Sequence, residues 1–257
     1  MKDKIVLSLG AGVQSSAMAI ACDKGVLPYK PEFAIFADTG AEPDAVYVMV
    51  ESIKKIVSFP VVTVQSTEPM LKTIFDRKLS HMPLFVKKSG GGWGMMRRQC
   101  TSRFKIEPIQ RYVRKYFKMR LKINRDMKIK MLIGISIDEA TRMRVSRDKW
   151  VLNTYPLIEG NWNRNDCAKY LNNYNIKPVK SACVFCPYKD NAAWQHLKNT
   201  DKKNWERAVK VDHAIRNVRG GKYENYLHRY LKPLDTIEFV DKTPDMFEED
   251  YEGYCGV

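Results

Sequence analysis

The sequence has no long apolar run. Stretches such as Ala17–Cys22 and Ala45–Val50 stop after six residues, far short of the roughly 20 a membrane-spanning helix needs. The apolar run that opens at Ile5 stops at Ser8, so no export signal is expected and the cytoplasm is the expected compartment. Histidine is scarce. His81, His196, His213 and His228 are scattered without metal-like spacing, and neither a His-Glu-x-x-His helix nor a Gly-x-Ser-x-Gly elbow is present, which sets aside zincin and serine-hydrolase chemistry. Acidic residues are few, 29 against 44 basic, for a formal charge of +15. What remains is ordinary for a globular chain: 257 residues, 44% hydrophobic and 28% charged, enough to bury a sizeable core and too apolar for disorder. Six cysteines in a reducing compartment point to metal or redox work rather than bridges.

Short apolar runs alternate with helix-length segments along the first half. Lys4–Leu9, Phe33–Ala37, Val61–Gln65 and Met131–Ile135 read as buried strands, and Asp44–Val57 reads as a helix. Such alternation predicts a doubly wound α/β fold with a mainly parallel sheet flanked by helices. After Pro156 the pattern is mostly helical, over 165–172, 192–197 and 202–218. Residues 110–130 read as a long basic helical segment, and Gly90–Gly94 as a loop. The expected organisation is a nucleotide-binding core over 1–160 and a helical region over 161–257, packed as one unit.

The first strand runs into Gly10-Ala11-Gly12-Val13-Gln14-Ser15-Ser16, followed at once by a helix. Glycines let backbone approach a phosphate, and a helix N-terminus offers unpaired N–H groups. Ser15 stands where a dinucleotide fingerprint needs its third glycine, and no Lys-Ser/Thr pair follows as a Walker loop requires. A plain strand-to-helix turn is the competing reading.

Cys183-x-x-Cys186 puts two thiols on one tight turn, suited to tetrahedral metal or to a redox pair. An iron–sulfur cube normally takes four ligands, and Cys100 and Cys255 are the candidates to complete the set. Zinc and iron both suit such thiolates. Cys22 and Cys167 fall inside helical patterns, as small core residues do. Between Arg97 and Lys130 thirteen basic residues face only Glu107 and Asp126, with Phe104, Tyr112, Tyr116 and Phe117 interleaved. This 97–130 segment is a candidate nucleic-acid surface, or a solvated amphipathic helix whose aromatics pack inward.

Taken in order, the motifs resemble the PP-loop (adenine nucleotide alpha-hydrolase-like) superfamily, in its phosphoadenosine phosphosulfate reductase branch. Ser8-Leu9-Gly10-Ala11-Gly12-Val13-Gln14-Ser15-Ser16 is similar to the pyrophosphate loop, and Asp38-Thr39-Gly40-Ala41-Glu42 to the branch's Asp-Thr-Gly segment. Arg98-Gln99-Cys100-Thr101 with Lys105, Gly134 through Arg142, Tyr155-Pro156-Leu157-Ile158 and Cys183 through Pro187 follow in the family's order. The chain departs from the pattern at Gly10, at Gln14, at Ser136 (where reductases commonly carry Arg) and at its ending Glu252-Gly253-Tyr254-Cys255-Gly256-Val257.

The resemblance implies a site. Ser8, Gly10, Ala11, Gly12, Gln14, Ser15, Ser16, Asp38, Thr39, Gly40 and Gly134 would hold ATP or another adenine nucleotide, with Mg²⁺ bridging phosphates where ATP is used. Lys105 and Arg142 would grip a sulfate, with Arg144 as a further cation. Cys100, Cys183, Cys186 and Cys255 would ligate a 4Fe-4S cluster, with zinc the alternative, although Gln99-Cys100 replaces the Cys-Cys pair of the cluster-bearing reductases. Three functions follow. In the first, Cys255 attacks a sulfonucleotide and an external thiol resolves the product. In the second, an ATP-dependent sulfurtransferase adenylates and thiolates a nucleic acid, drawing on a sulfur donor. The third is nucleotide binding without catalysis.

Overall fold

The computed structural model describes residues 4–76, 81–119, 127–217 and 223–239. Its centre is a five-stranded sheet in the order β3-β2-β1-β6-β7, with β1 Lys4–Ser8, β2 Phe33–Asp38, β3 Val61–Gln65, β6 Ile129–Ile133 and β7 Val151–Thr154. Every pairing in it is parallel. The doubly wound α/β fold expected from the sequence is therefore the one observed. β2 is buried along Phe33–Ala37, which explains its unbroken apolar reading.

α1 (Val13–Asp23) is buried over its first ten residues. α2 (Asp44–Ile56) turns only Val46, Met49, Val50 and Ile53 inward, an i, i+3, i+4, i+7 face. α6 (Arg164–Asn172) contributes Cys167 and Leu171 to the core around α1 and opens with a capping box between Asn163 and Asp166. The opposite sheet face carries Val6, Phe33, Ile35 and Met131 against Val113 of α4 (Glu107–Tyr116).

A third core lies at the carboxyl end of the sheet. Here α3 (Met70–Phe75) and Phe104 meet Trp194 of α7 (Asn191–Thr200) and Ala208, Val211 and Ile215 of α8 (Lys202–Ile215). A second, antiparallel sheet of order β5-β4-β8 flanks it, from β4 Phe85–Lys88, β5 Trp93–Met95 and β8 Tyr223–Tyr226.

Two sequence expectations change. The helical reading of 110–130 is too long: α4 ends at Tyr116, Lys118 adopts a positive φ of 50°, and Ile129 and Lys130 belong to β6. Residues 120–126 lie outside the described residues. The stretch read as a loop at Gly90–Gly94 is a hairpin turn, with Gly91 and Gly92 at φ 88° and 85° and Trp93-Gly94 already in β5. Among the described residues no helix is long and apolar enough to cross a membrane.

Candidate nucleotide loop and thiol pocket

β1 sits at the middle of the parallel sheet, and its carboxyl end is where the strand order reverses, the place at which such sheets bind ligands. Leu9 donates its N–H to Ile35 O (2.9 Å), tying the loop to β2. Ala11, fully buried between two glycines, takes φ 54°, a conformation that costs a non-glycine residue about 1 kcal/mol or more and is stored at functional sites. Gly12 caps α1 with extended backbone and no side-chain cap. The first-turn N–H groups, including those of Gln14 and Ser15, therefore have no intrahelical acceptor. Two hydroxyls nearby in the fold are buried without a partner among the described residues: Ser16 Oγ, one turn into α1, and Ser136 Oγ, just past β6. Gly134 packs directly on this turn. A Cβ there would lie 2.7 Å from both Ser15 Cα and Ser15 N.

The β2–α2 loop is tied by its own side chains. Asp38 accepts from Gly40 N, Tyr47 Oη and Gln65 Nε2, each at 2.8 Å. Its carboxylate shapes the turn, with Gly40 at φ 70°. This hydrogen bond and burial raise the Tyr47 hydroxyl pKa, burial most. Thr39 Oγ1 donates to Glu42 Oε1 (3.1 Å) and accepts from Ala41 N (3.2 Å). Glu42 is 1% exposed, and its Oε1 also lies 3.2 Å from Lys105 Nζ. Its Oε2 is buried without a partner among the described residues.

The Cys-x-x-Cys segment docks on both loops. Ser181 Oγ lies 2.7 Å from where a Cβ on Gly12 would stand. Val184 N donates to Ala41 O (2.7 Å), and Cys183 Sγ lies 3.9 Å from Thr39 Oγ1. The pair sits on a tight turn closed by Cys186 N to Cys183 O (3.1 Å). Arg207 of α8 clamps the arrangement by donating to Gly40 O (2.9 Å).

A pocket with about 470 Å³ of open space lies alongside, lined by Thr39, Arg98, Cys100, Thr101, Lys105, Cys183 and Cys186, with Met70, Met82 and Phe185 among its apolar walls. Three of the four expected metal-binding thiols thus share one pocket. The donors are right in kind, but among the described residues no group of three or more His, Cys, Asp or Glu side chains is close enough together to hold a metal ion. Cys255 lies outside the described residues. Cys22 and Cys167 are core residues, with thiol pKa values pushed up to about 12, in both chiefly by burial.

Arg142 stands apart from this pocket. It follows β6 on a short 3-10 helix kinked at Glu139, Ile137–Arg142, where Nη1 pairs with Glu139 Oε2 at 2.5 Å. Arg144 donates to the carbonyls of Thr141 and Met143. Ser8 closes β1 in register with Ile35 and Ile133. Four neighbours of the site carried weak sequence signals. Glu42 and Ser136 lay inside recognised motifs, at positions where charge and hydroxyl could not be told from surface residues. Arg98 stood beside Cys100 without a role. Ser181 had only its closeness to Cys183.

No protein-family model matches the chain, and no curated protein matches it. Solved structures do. Phosphoadenylyl-sulfate (PAPS) reductase from Candida auris, in a phosphate complex, is 14% identical at a TM-score of 0.44, over 69% of this chain and 76% of that one. The U34-tRNA thiolase NcsA from Methanococcus maripaludis, with its [4Fe-4S] cluster, is 16% identical at 0.41, over 96% of this chain and 78% of that one.

Proposed function

We propose that this chain is a PP-loop enzyme that binds adenine nucleotide phosphate on the Gly10–Ser16 turn and carries out sulfur chemistry in the adjoining thiol pocket. One observation carries the reading. The strand of chain that presses Ser181 on Gly12 brings Cys183 and Cys186, a few residues on, into one pocket with Cys100 and Lys105. Two extended residues span about 7 Å, so a reaction at the phosphates is within reach of a thiol. In this reading residues 1–160 form the nucleotide-binding unit, and 161–257 deliver the thiol pair to it.

Of the two reactions the family resemblance implies, ATP-dependent sulfur transfer fits the geometry better. The cations expected to grip a sulfate are already engaged by carboxylates: Lys105 by buried Glu42, and Arg142 by Glu139. In the transfer reaction an acceptor oxygen attacks the α-phosphorus of ATP and pyrophosphate leaves. In this reading the α1 N-terminus and Ser15 take the phosphates, with the buried hydroxyls of Ser16 and Ser136 behind them. Reduced sulfur from an external donor then attacks the acceptor carbon, and AMP departs with the oxygen. Delivered as a persulfide on one pocket cysteine, the outer sulfur bonds the acceptor carbon while still joined to that cysteine, until a second pocket thiolate attacks the cysteine's own Sγ, breaks the S–S bond and frees the thiolated product. The resulting disulfide balances the two electrons that reduce the sulfane sulfur. Cys100, Cys183 and Cys186 are also the residues that would hold a 4Fe-4S cluster, or zinc, with Cys255 as a fourth ligand, once drawn closer together than they stand here. Bound there, a cluster supplies iron as a soft Lewis acid for sulfide.

ATP–pyrophosphate exchange that depends on an added RNA or DNA acceptor tests this reading, together with iron and sulfide analysis of anaerobically purified protein. Sulfonucleotide reduction is the second reading, favoured by the thiol-rich pocket beside the loop. There a cysteine thiolate attacks sulfur, the S–O bond to the nucleotide breaks, and an external thiol releases sulfite while a disulfide forms. Mass spectrometry that finds Cys255 S-sulfonated after mixing with the sulfonucleotide, with no exchange activity, would decide for it.

A further inference from the structure

The turn Ser102–Ile106 and α4 form one continuous helical path whose start lines the thiol pocket, through Cys100, Thr101 and Lys105. Between residues 102 and 118 its one acidic residue is Glu107. The inner face of α4 is spent on packing. Val113 is fully buried, and the rings of Tyr112, Tyr116 and Phe117 lie 5.6, 4.6 and 6.2 Å from that of Phe33. That leaves Arg111, Arg114 and Lys115 on the opposite side, at the i, i+3, i+4 spacing of a single face, with Lys118 just past the helix end. Arg111, Lys115 and Lys118 are exposed, and none has an ion-pair partner among the described residues. Uncompensated cations thus run about 6 Å along the helix from Arg111 to Lys115, at 1.5 Å per residue, with Lys118 just past its end.

A second feature rises from the same rim. Both legs of the β4–β5 hairpin leave the pocket wall, one after Met82 and Pro83, the other before Arg98 and Cys100. Near its tip Trp93 is 63% exposed, in register with Lys87, and Lys88 is exposed beside it. Glu224 of β8 faces Lys87 across the other strand pair and accepts from Tyr226 Oη. A large exposed aromatic among lysines offers a base a stacking platform, while a cation row tracks a backbone.

We propose that the outer face of α4, with Trp93, binds a single-stranded nucleic acid and leads it to the thiol pocket. The inference rests on the sulfur-transfer reading for its direction and names the substrate class of that site. Polyanion chemistry alone also suits an acidic peptide, but an acidic peptide has no use for Trp93. The strand is therefore the occupant that both features fit.

The test is fluorescence anisotropy of the full-length protein with a labelled twelve-nucleotide single strand, in RNA and DNA arms, at several salt concentrations. Variants Arg111→Gln/Lys115→Gln/Lys118→Gln and Trp93→Ala are compared with wild type, after circular dichroism establishes that each is folded. The triple variant is expected to weaken binding at least about tenfold and to lower the log–log salt slope by about 2, near 0.7 for each lost contact. Trp93→Ala is expected to weaken binding about tenfold with the slope unchanged. Equal binding by wild type and both variants, no binding by wild type, or equal competition by polyglutamate with Trp93→Ala silent, overturns the proposal. MgATP affinity is measured in parallel by calorimetry. Strand binding without MgATP binding sinks the functional reading alone, and MgATP binding without strand binding sinks this inference alone.

Discussion

Ser181 occupies the space that a side chain on Gly12 would need. A Cβ added at Gly12 would come 2.7 Å from Ser181 Oγ and 3.6 Å from its Cβ. Gly12 has an ordinary negative φ of −92°, so its lack of a side chain serves the close approach of two chain segments and not the backbone angle. That approach joins the Gly10–Ser16 turn to the thiol pocket.

Gly12→Ala is therefore expected to force the Ser181 hydroxyl off the loop and to weaken adenine nucleotide binding a few-fold. Adding Ser181→Gly removes the clashing Oγ and should restore most of that affinity. Calorimetric titration of both variants with MgATP checks this. A Gly12→Ala protein that binds as wild type does would show that the loop and the segment are not coupled.

Gly134 meets backbone instead. Its added Cβ would stand 2.7 Å from Ser15 Cα and N, atoms that cannot turn aside as a hydroxyl can. Gly134→Ala should cost about 1–3 kcal/mol, the usual range for overpacking, and displace the first turn of α1. Urea denaturation reads the stability, and the same titration reads the effect on MgATP binding. No second-site change at Ser181 should rescue it.

The βα core was legible because buried parallel strands write themselves as short unbroken apolar runs. Phe33–Ala37 and Val61–Gln65 were found within a residue of their observed ends. Ile129 and Lys130 read as helix because they continue the basic, alternating text after α4, and only pairing with Lys4 and Ile5 on one side and Val151 and Leu152 on the other makes them strand. The small antiparallel sheet was not legible at all. β4 has four residues and β5 three, Gly90–Gly92 reads as a loop, and the third strand comes from Tyr223–Tyr226, far along the chain. In the site, cysteine spacing was enough to group three thiols. Charge was not: Lys105 and Arg142 look alike in sequence, yet the first lines the pocket and the second pairs with Glu139 away from it.

Glu42 and Lys105 form an ion pair in which the carboxylate is 1% exposed and the ammonium side chain 20%. Lys105→Met would strand a buried charge, at an expected cost of about 3 kcal/mol or more. Glu42→Gln keeps the Thr39 contact and should cost less. The double variant should be more stable than the sum of the two losses, since it leaves no unpaired charge. Chemical denaturation of the four proteins closes this cycle. Strict additivity would mean that the pair is not coupled.

Thiol reactivity divides the cysteines. With pKa values pushed up to about 12 by burial, Cys22 and Cys167 are about one part in ten thousand thiolate at pH 8 and should resist iodoacetamide in the native protein. Cys100 and Cys183, half-buried on the pocket wall, are expected to react first, with peptide mass spectrometry giving the order. The same raised values carry a stability slope. In the unfolded chain a thiol titrates near 8.5 to 9, so between about pH 9 and pH 12 the folded state holds more protons than the unfolded state. Stability must then fall as pH rises through that window, by up to about 1.4 kcal/mol per pH unit for each of the two thiols. Cys22→Ala/Cys167→Ala should lose that part of the alkaline slope while being less stable at pH 7 from the lost packing. Urea midpoints measured at pH 7, 9 and 10 separate the two effects. A double variant whose alkaline slope matches wild type would place the titrating groups elsewhere.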